Sequence, residues 1–188
     1  EIVGQWAANC EREGLVPMGF DGTAWDSTIG PGALHEWSRL CRRFGADPTV
    51  LRFLNRRRFP QAGATKHGIR YSRLGQVSSG DPDTSLGNSV LHGIGWLWVL
   101  RDAPHRYGIR VTVLGDDSVI AVDPRDLQWV KDVCIQRWAE LGPRMTLSSE
   151  GDWDTVDFCS GHFWRYEDIR LFGPKPGRIL AKTFWRLD

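Results

Sequence analysis

Two β-rich apolar runs that flank a short acidic turn constrain the fold of this chain more than any other feature. Residues 109–113 and 118–122 are rich in Val and Ile, and the sequence Leu-Gly-Asp-Asp separates them. Apolar runs on both sides of a Gly-Asp turn are a strong signal for a β-hairpin. The sequence therefore predicts an antiparallel hairpin with Asp116 and Asp117 at its turn.

Further strands and several helices are predicted on both sides of this hairpin. An apolar segment between Gly and Pro residues, 14–20, predicts a strand that ends at Asp21. Helical spacing of apolar residues predicts helices at 34–44, 48–58, 83–103, 124–141 and 178–185. Short β-rich runs predict further strands at 69–71, 145–147, 156–159 and 169–172. This order predicts an α+β fold, with an antiparallel sheet and helices packed on one face.

Composition excludes several classes of protein. The chain has 188 residues, of which 41% are hydrophobic and 25% charged, so it is not intrinsically disordered. Its longest apolar run, 94–100, is shorter than the roughly 18 residues that a membrane helix needs. The four cysteines form no Cys-x-x-Cys pair, which argues against a disulfide framework or a zinc site and favours a reducing compartment. Since the chain does not begin with Met, we expect it to be a segment of a longer protein.

Acidic side chains lie where the predicted strands end. Asp21 follows the first strand, Asp26 lies five residues further on, and Asp116 and Asp117 lie in the turn. If the first strand lies beside the hairpin, Asp21 and Asp116 project into one small volume, where repulsion between carboxylates requires a neutralising cation. Oxygen ligands suit Mg²⁺ or Mn²⁺, and two such ions about 3.5–4 Å apart catalyse in-line phosphoryl transfer.

A third polar segment precedes the long central helix. Residues 79–88 have the sequence Ser-Gly-Asp-Pro-Asp-Thr-Ser-Leu-Gly-Asn. Gly80 permits a backbone bend, and Asp83 or Thr84 can cap the helix that follows. Because Thr84 and Asn88 are four residues apart, their side chains lie on the same face of that helix.

Basic residues are concentrated between the first strand and the long helix. The stretch 39–73 holds ten basic residues and a single acid, although the net charge of the whole chain is only +1. Such a stretch is either a solvated helix face or a surface that binds a polyanion. The candidate residues for such a surface include Arg56, Arg57, Arg58, Lys66 and Arg70.

These segments, taken in their order along the chain, resemble the palm of a viral RNA-dependent RNA polymerase. Residues 20–26 resemble motif A with its D-x4-D, residues 79–88 resemble motif B, S-G-x3-T-x3-N, and residues 114–117 resemble the Gly-Asp-Asp hairpin of motif C. The Phe-Cys-Ser sequence at 158–160 is similar to motif E, which supports the priming strand. The resemblance extends from about residue 14 to residue 164 and is most like positive-strand RNA viruses of the tombus-like or noda-like kind.

The resemblance implies a role for each group of motif residues. It implies catalytic and metal-ligand roles for Asp21, Asp116 and Asp117, with two Mg²⁺ or Mn²⁺ ions as cofactors. It implies ribose and nucleotide binding by Asp26, Ser79, Gly80, Thr84 and Asn88. The proton donor of motif D would be Arg144, the only cation on its loop, although Arg releases a proton poorly near neutral pH. The primer-grip hairpin would be formed by Phe158, Cys159 and Ser160.

The basic stretch lies between motifs A and B, where this family has finger elements near template and nucleotide. The resemblance therefore implies contact with RNA or phosphate by Arg56, Arg57, Arg58, Lys66 and Arg70.

The resemblance also implies a function, a set of partners and a domain organisation. The reaction would be template-directed transfer of nucleotides from NTPs to an RNA 3′-hydroxyl, with template and nascent RNA as partners and no DNA. Residues 1–188 would form one palm domain with partial fingers at about 30–75. The full fingers and the thumb, other parts of the same replicase, would lie outside it, so we expect the segment alone to be inactive or weak. The site of action would be the host cytoplasm, on membrane-associated replication complexes.

Two alternatives are open at this stage. A reverse transcriptase shares the palm, but it normally lacks an acid equivalent to Asp26, because it must exclude the 2′-hydroxyl. A non-catalytic RNA-binding module would use the basic stretch, with the acids serving only as turn residues. That module would bind RNA without divalent ions and would retain binding after loss of Asp116.

Overall fold

The computed structural model describes residues 2–78 and 80–183. In chain order its elements are α1 (Ile2–Arg12), β1 (Val16–Thr23), α2 (Trp25–Thr28), α3 (Pro31–Arg43), α4 (Pro48–Arg56), β2 (Gln61–Ala64), β3 (Arg70–Arg73), α5 (Thr84–Val99), β4 (Arg110–Leu114), β5 (Asp117–Val122), α6 (Leu127–Leu141), β6 (Arg144–Glu150), β7 (Asp157–Phe158), β8 (Gly161–Tyr166), β9 (Ile169–Pro174) and α7 (Pro176–Thr183). The mixture of helices and antiparallel strands confirms the predicted α+β class.

A four-stranded antiparallel sheet forms the centre of the domain, in the order β4-β5-β1-β6. The predicted hairpin is β4–β5, and the predicted first strand pairs directly with it as β1. In β5 every residue from Ser118 to Val122 is buried. Successive side chains of a strand point to opposite faces, so a strand buried in this way must be covered on both sides.

Helices α5 and α6 cover one face of this sheet. They pack on alternate residues of β1 and β5, and the main members of this core are Met18, Phe20, Trp96, Val99, Ile120, Val122, Val130, Cys134 and Trp138. In α5 the backbone approaches α6 so closely that a Cβ added at Gly95 would overlap the ring of Trp138. The predicted packing of helices on this face is confirmed.

The opposite face is covered by α1 together with a second, three-stranded sheet, β7-β8-β9. Its core consists of Ala7, Cys10, Val119, Ala121, Trp153, Val156, Phe158 and Phe163. The buried guanidinium of Arg170 on β9 donates to both carboxylate oxygens of Glu11 on α1, at 2.8 and 2.7 Å. Helix α1 was not predicted, because its buried residues are small (Gly4, Ala7, Ala8 and Cys10) and give only a weak apolar pattern.

The region predicted to be finger-like, 30–75, contains α3, α4 and the β2–β3 hairpin. Both helices begin with a proline, a residue favoured at the first helical position. The single acid of the basic stretch, Asp47, accepts a hydrogen bond from the backbone of Thr49 at 2.7 Å and so caps α4. Assignment of this region to the fingers stays a prediction.

Several predicted boundaries shift in the structure. The strand predicted at 69–71 occupies Arg70–Arg73, and β6 extends from Arg144 to Glu150 rather than over 145–147. Strands β2 and β8 were not predicted. The tail helix, predicted at 178–185, is α7 as far as Thr183, and its last two positions lie outside the described residues. Among the helices that the structure describes, none is both long and apolar enough to span a membrane.

Candidate active site

The predicted catalytic aspartates meet at one end of the central sheet. Asp21 near the end of β1 is the direct register partner of Asp117, the first residue of β5. Side chains directly opposite each other in an antiparallel pair have Cβ atoms about 4.5–5.5 Å apart. Asp116 lies in the adjoining turn, and its Cβ lies 3.4 Å from the position that a Cβ on Gly22 would occupy. The structure thus brings together the three acids that the sequence assigned to one site.

The acidic cluster changes the titration of one of its members. Partial burial raises the pKa of the Asp117 carboxyl above its ordinary value, and the charges of Asp116 and Asp21 raise it further. Hydrogen bonds from the thiol and the backbone of Cys159 oppose this effect. Burial and the adjacent Asp117 also raise the pKa of the Cys159 thiol to about 12, so the thiol is protonated at neutral pH.

The donor chemistry of this cluster suits Mg²⁺ or Mn²⁺, although the protein groups alone do not form a complete cage. Within the described residues, no three acidic, His or Cys side chains form a set that could hold a metal ion. Mg²⁺ is usually bound by one or two carboxylates together with waters and substrate phosphates. Burial raises the pKa of Asp117 most, and the charges of Asp116 and Asp21 raise it further; a cation that binds nearby relieves this repulsion. The donor types of these residues therefore fit Mg²⁺ or Mn²⁺, and the remaining ligands would have to be waters or phosphate oxygens.

The turn that carries Asp116 contains only two residues between β4 and β5. Gly115 occupies the first position with φ +64°, a left-handed conformation that favours glycine and fits a type II′ hairpin turn. Both backbone polar groups of Gly115 are bonded to α5. Its N–H donates to Ser89 Oγ at 2.8 Å, and its carbonyl accepts from Nδ1 of His92 at 3.1 Å. Sequence reasoning assigned no role to Ser89 and treated His92 as structural.

Asp26 and Asn88, both assigned to ribose binding, lie in direct contact although 62 positions separate them in the chain. Nδ2 of Asn88 donates to Oδ1 of Asp26 at 2.7 Å. Asn88 is 4% exposed, and its Oδ1 is buried without a hydrogen-bond partner among the described residues. The pair therefore joins α2 to α5 and leaves one buried acceptor unsatisfied.

The segment before α5 is held by local hydrogen bonds. Thr84 Oγ1 donates to the carbonyl of Ser78 at 3.0 Å, and Gly80 has φ +92°, which supports the predicted backbone bend. Ser79, predicted to bind nucleotide, lies outside the described residues. Asp83 occupies the N-cap position of α5, but its side chain makes no capping bond. The prediction that Asp83 or Thr84 caps the helix is wrong, because Oδ2 of Asp83 accepts instead from Nε1 of Trp37 at 2.7 Å and the Thr84 hydroxyl donates to Ser78.

One arginine of the basic stretch is buried in ion pairs. The Arg57 guanidinium donates to Asp81 at 3.0 Å and to Asp83 at 2.6 Å, and its side chain is 6% exposed. In this conformation Arg57 cannot reach a phosphate, so it is removed from the predicted RNA-contacting set. The ion pairs also explain why the segment before α5 is acidic: its two carboxylates neutralise Arg57.

The other predicted phosphate ligands lie nearer the surface. Arg56, Lys66 and Arg70 are exposed, and Arg58 is half-buried beside His35, whose Nδ1 it contacts. The proposed proton donor, Arg144, is exposed and is the register partner of Thr23, two residues after Asp21. The roles of these residues in binding RNA or donating a proton stay predictions.

The predicted primer-grip residues form the turn between β7 and β8. Phe158 is buried against Phe172, and Cys159 and Ser160 both have positive φ, at 48° and 60°. Positive φ at both central residues defines a type I′ hairpin turn. Because Cys159 contacts Asp117, this turn adjoins the acidic cluster.

Comparisons with known proteins agree with this geometry. Residues 14–168, about four-fifths of the chain, match the family described as viral RNA dependent RNA polymerase. The chain is 30% identical, over 92% of its length, to the genome polyprotein of classical swine fever virus (strain Alfort/Tuebingen), and the match covers 5% of that polyprotein. It is 29% identical, over 80% of its length, to the RNA-directed RNA polymerase of groundnut rosette virus (strain MC1), and covers 19% of it. The chain spans a small part of both relatives, and it belongs to the viral RNA-dependent RNA polymerase family.

Proposed function

We propose that this chain is the palm, with part of the fingers, of a replicase that copies an RNA template by a two-metal-ion mechanism. The observation that carries the proposal is the register of β1 with β5, which sets Asp21 opposite Asp117 beside the acidic turn. Three carboxylates at the end of a buried sheet repel one another, and this repulsion costs free energy unless a cation neutralises it. Phosphoryl transfer by metal ions is a reaction that uses such an arrangement. The tombus-like or noda-like character and the site of action on membrane-associated replication complexes stay predictions.

The chain's own residues would hold and orient the reactants. Asp21 and Asp116 are the proposed ligands of both ions, and Asp117 supports them. When bound, Mg²⁺ or Mn²⁺ would supply activation of the 3′-hydroxyl and neutralisation of the leaving pyrophosphate. The neighbouring Cys159 of the proposed primer grip lowers the pKa of the Asp117 carboxyl and so favours its charged form.

Selection of the ribose is the proposed task of Asp26 and Asn88. A 2′-hydroxyl is both a donor and an acceptor, and it distinguishes RNA from DNA. The unpartnered Oδ1 of Asn88 is an acceptor, and the Asp26 carboxylate accepts already from Asn88. A deoxyribose would leave the buried Oδ1 of Asn88 without a new partner, which disfavours incorporation of a dNTP. This pair favours RNA synthesis over reverse transcription.

The basic surface is the proposed path of RNA. The exposed side chains of Arg56, Lys66 and Arg70 lie on α4 and around the β2–β3 hairpin, where they can contact phosphates. Such contacts hold RNA without selecting sequence, which base pairing with the template supplies.

The decisive experiment is primer extension by the complete polymerase that contains this chain. Asp116→Ala should lower nucleotide addition at least about 100-fold, because several kcal/mol of charge stabilisation depend on the metal site. Asp132→Ala is the matched control, since Asp132 is an exposed carboxylate on α6, away from the acidic turn. Equal activity of the two variants would contradict the proposal. RNA binding without addition by the parent protein, unchanged in Asp116→Ala, would support the binding-module alternative.

Sugar selection has its own test in the same assay. Asp26→Ala should reduce the preference for NTPs over dNTPs about 10-fold to 100-fold, the effect of losing one hydrogen bond to a charged group. The measured quantity is the ratio of kcat/KM for a matched NTP and dNTP. An unchanged ratio would refute the role of Asp26, and a parent preference for dNTPs would support a reverse transcriptase.

A further inference from the structure

Ser89 and His92 lie on the side of α5 that faces the acidic turn. Ser89 Oγ accepts from the Gly115 N–H at 2.8 Å and donates to the carbonyl of Ser85 at 2.6 Å, so its hydroxyl is fully oriented. His92 bonds to the carbonyl of the same glycine at 3.1 Å. Side chains on two adjacent turns of α5 therefore hold both the N–H and the carbonyl of Gly115.

The hydrogen bonds of His92 determine its protonation state. The Gly115 carbonyl can only accept a hydrogen bond, so in the neutral ring Nε2 carries no proton. Nε1 of Trp96 shares its single N–H between Nε2 of His92, at 3.1 Å, and Oγ of Ser118, at 3.0 Å. The proton lies on Nδ1, which donates to the Gly115 carbonyl. His92 is 0% exposed, and burial lowers its pKa to about 4, so the neutral imidazole is the form present at neutral pH.

The imidazole of His92 also contacts the segment that follows Asp21. Its ring lies 4.5 Å, between centroids, from the ring of Trp25, which directly precedes Asp26. His92 thus joins α5, the turn and the start of α2. A Leu or Phe at this position would fill the space without the cost of burying a polar ring, so packing alone does not explain a histidine here.

We propose that Ser89 and His92 are positioning residues, which hold the backbone of Gly115 and so fix the acidic turn. This inference rests on the proposed function, because the carboxylates of the turn need a fixed position only if they act on a substrate. A two-residue turn has few contacts of its own, and displacement of reacting groups by about 1 Å can cost 100-fold in rate. Neither residue belongs to the proposed nucleotide-binding set, so we expect their loss to lower kcat and to leave KM for the NTP unchanged.

The first test uses variants of Ser89 in the complete polymerase. Ser89→Ala should lower kcat by about 10-fold to 100-fold with unchanged KM, and Ser89→Thr, which keeps the hydroxyl, should restore it. Ser85→Ala is the matched control, because Ser85 is an exposed serine one turn earlier on the same helix. Equal kcat for the two alanine variants would overturn the inference.

Variants of His92 separate positioning from packing. His92→Leu replaces the imidazole with an apolar side chain of similar bulk and removes the donor to Gly115. His92→Asn keeps an N–H donor but is smaller and leaves a cavity. We expect His92→Leu to have the higher melting temperature and His92→Asn the higher kcat. If kcat follows the melting temperature in both variants, His92 is only a core residue and the inference fails.

Hydrogen exchange tests the contact independently of activity. In Ser89→Ala the Gly115 amide should exchange with solvent at least about tenfold faster than in the parent protein, because it has lost its acceptor. Unchanged exchange at Gly115 would overturn the inference even in an inactive protein. If the parent polymerase adds no nucleotide while exchange responds as expected, the proposed function fails and the contact stands.

Discussion

Replacing Arg57 by Met tests whether the ion pairs before α5 stabilise the fold. The guanidinium of Arg57 is 6% exposed, and the side chains of Asp81 and Asp83 are 19% and 20% exposed. Met fills a similar volume and leaves both carboxylates without their cation. The hydrogen bond from Trp37 to Asp83, at 2.7 Å, remains.

The size of the effect follows from the burial of the three side chains. Removing one partner of a buried ion pair costs about 3–5 kcal/mol, since the remaining charge loses its compensation. Because the two acids retain about a fifth of their exposure, water can solvate them in part, and we expect the lower end, about 3 kcal/mol. For a chain of this length, that loss corresponds to a fall in Tm of about 6–12 °C.

The measurement is the free energy of unfolding in urea, with Arg56→Met as the matched control. Arg56 is the exposed neighbour of Arg57, so its replacement should change stability by less than about 0.5 kcal/mol. Adding Asp83→Asn to Arg57→Met should recover part of the loss, because it removes one uncompensated charge. If both single Met variants unfold at the same urea concentration, the ion pairs contribute nothing and the reasoning is wrong.

Two further predictions concern the packing of Gly95 in the core and the protonation of the buried His92. Gly95→Ala should lower the free energy of unfolding by about 1–3 kcal/mol, because the added methyl overlaps the ring of Trp138, whereas Gly93→Ala should not, since a Cβ there meets only Val113 at 3.8 Å. Stability should fall as the pH is lowered from about 6.5 to about 4, because the unfolded chain binds a proton at His92 that the folded chain does not. Over that range the difference in the free energy of unfolding between the parent and His92→Leu should change by about 3 kcal/mol. A difference that stays constant with pH in urea titrations would refute the assignment to His92.

The sequence predicted that the three acids lie close together, because their positions depend on local signals. Strand ends and the turn at 114–117 were readable from short segments, and an antiparallel pairing of β1 with the hairpin was enough to bring Asp21 near Asp117. The family resemblance assigned Asp26 and Asn88 to the same ribose, but no sequence signal indicated the direct hydrogen bond that joins them in the structure.

Features that depend on distant partners were not predictable. A run of arginines does not reveal which member is buried, and Arg57 is distinguished only by carboxylates 24 and 26 positions away. The contact of Arg170 with Glu11 joins residues 159 positions apart, and it orients a helix that no periodic pattern had revealed. The tertiary fold decides which arginine forms a buried ion pair, because only the fold determines which charges lose contact with water.

The arrangement around α5 connects selection of the sugar with the position of the acidic turn. Asn88 and Ser89 are consecutive, so their side chains project about 100° apart around the helix axis. One reaches Asp26 and the other reaches Gly115, and both are held by the same rigid backbone. A rotation or shift of α5 that moves one contact must therefore move the other. A core change such as Gly95→Ala, which displaces the helix without touching either contact, should for this reason alter nucleotide addition and sugar preference together.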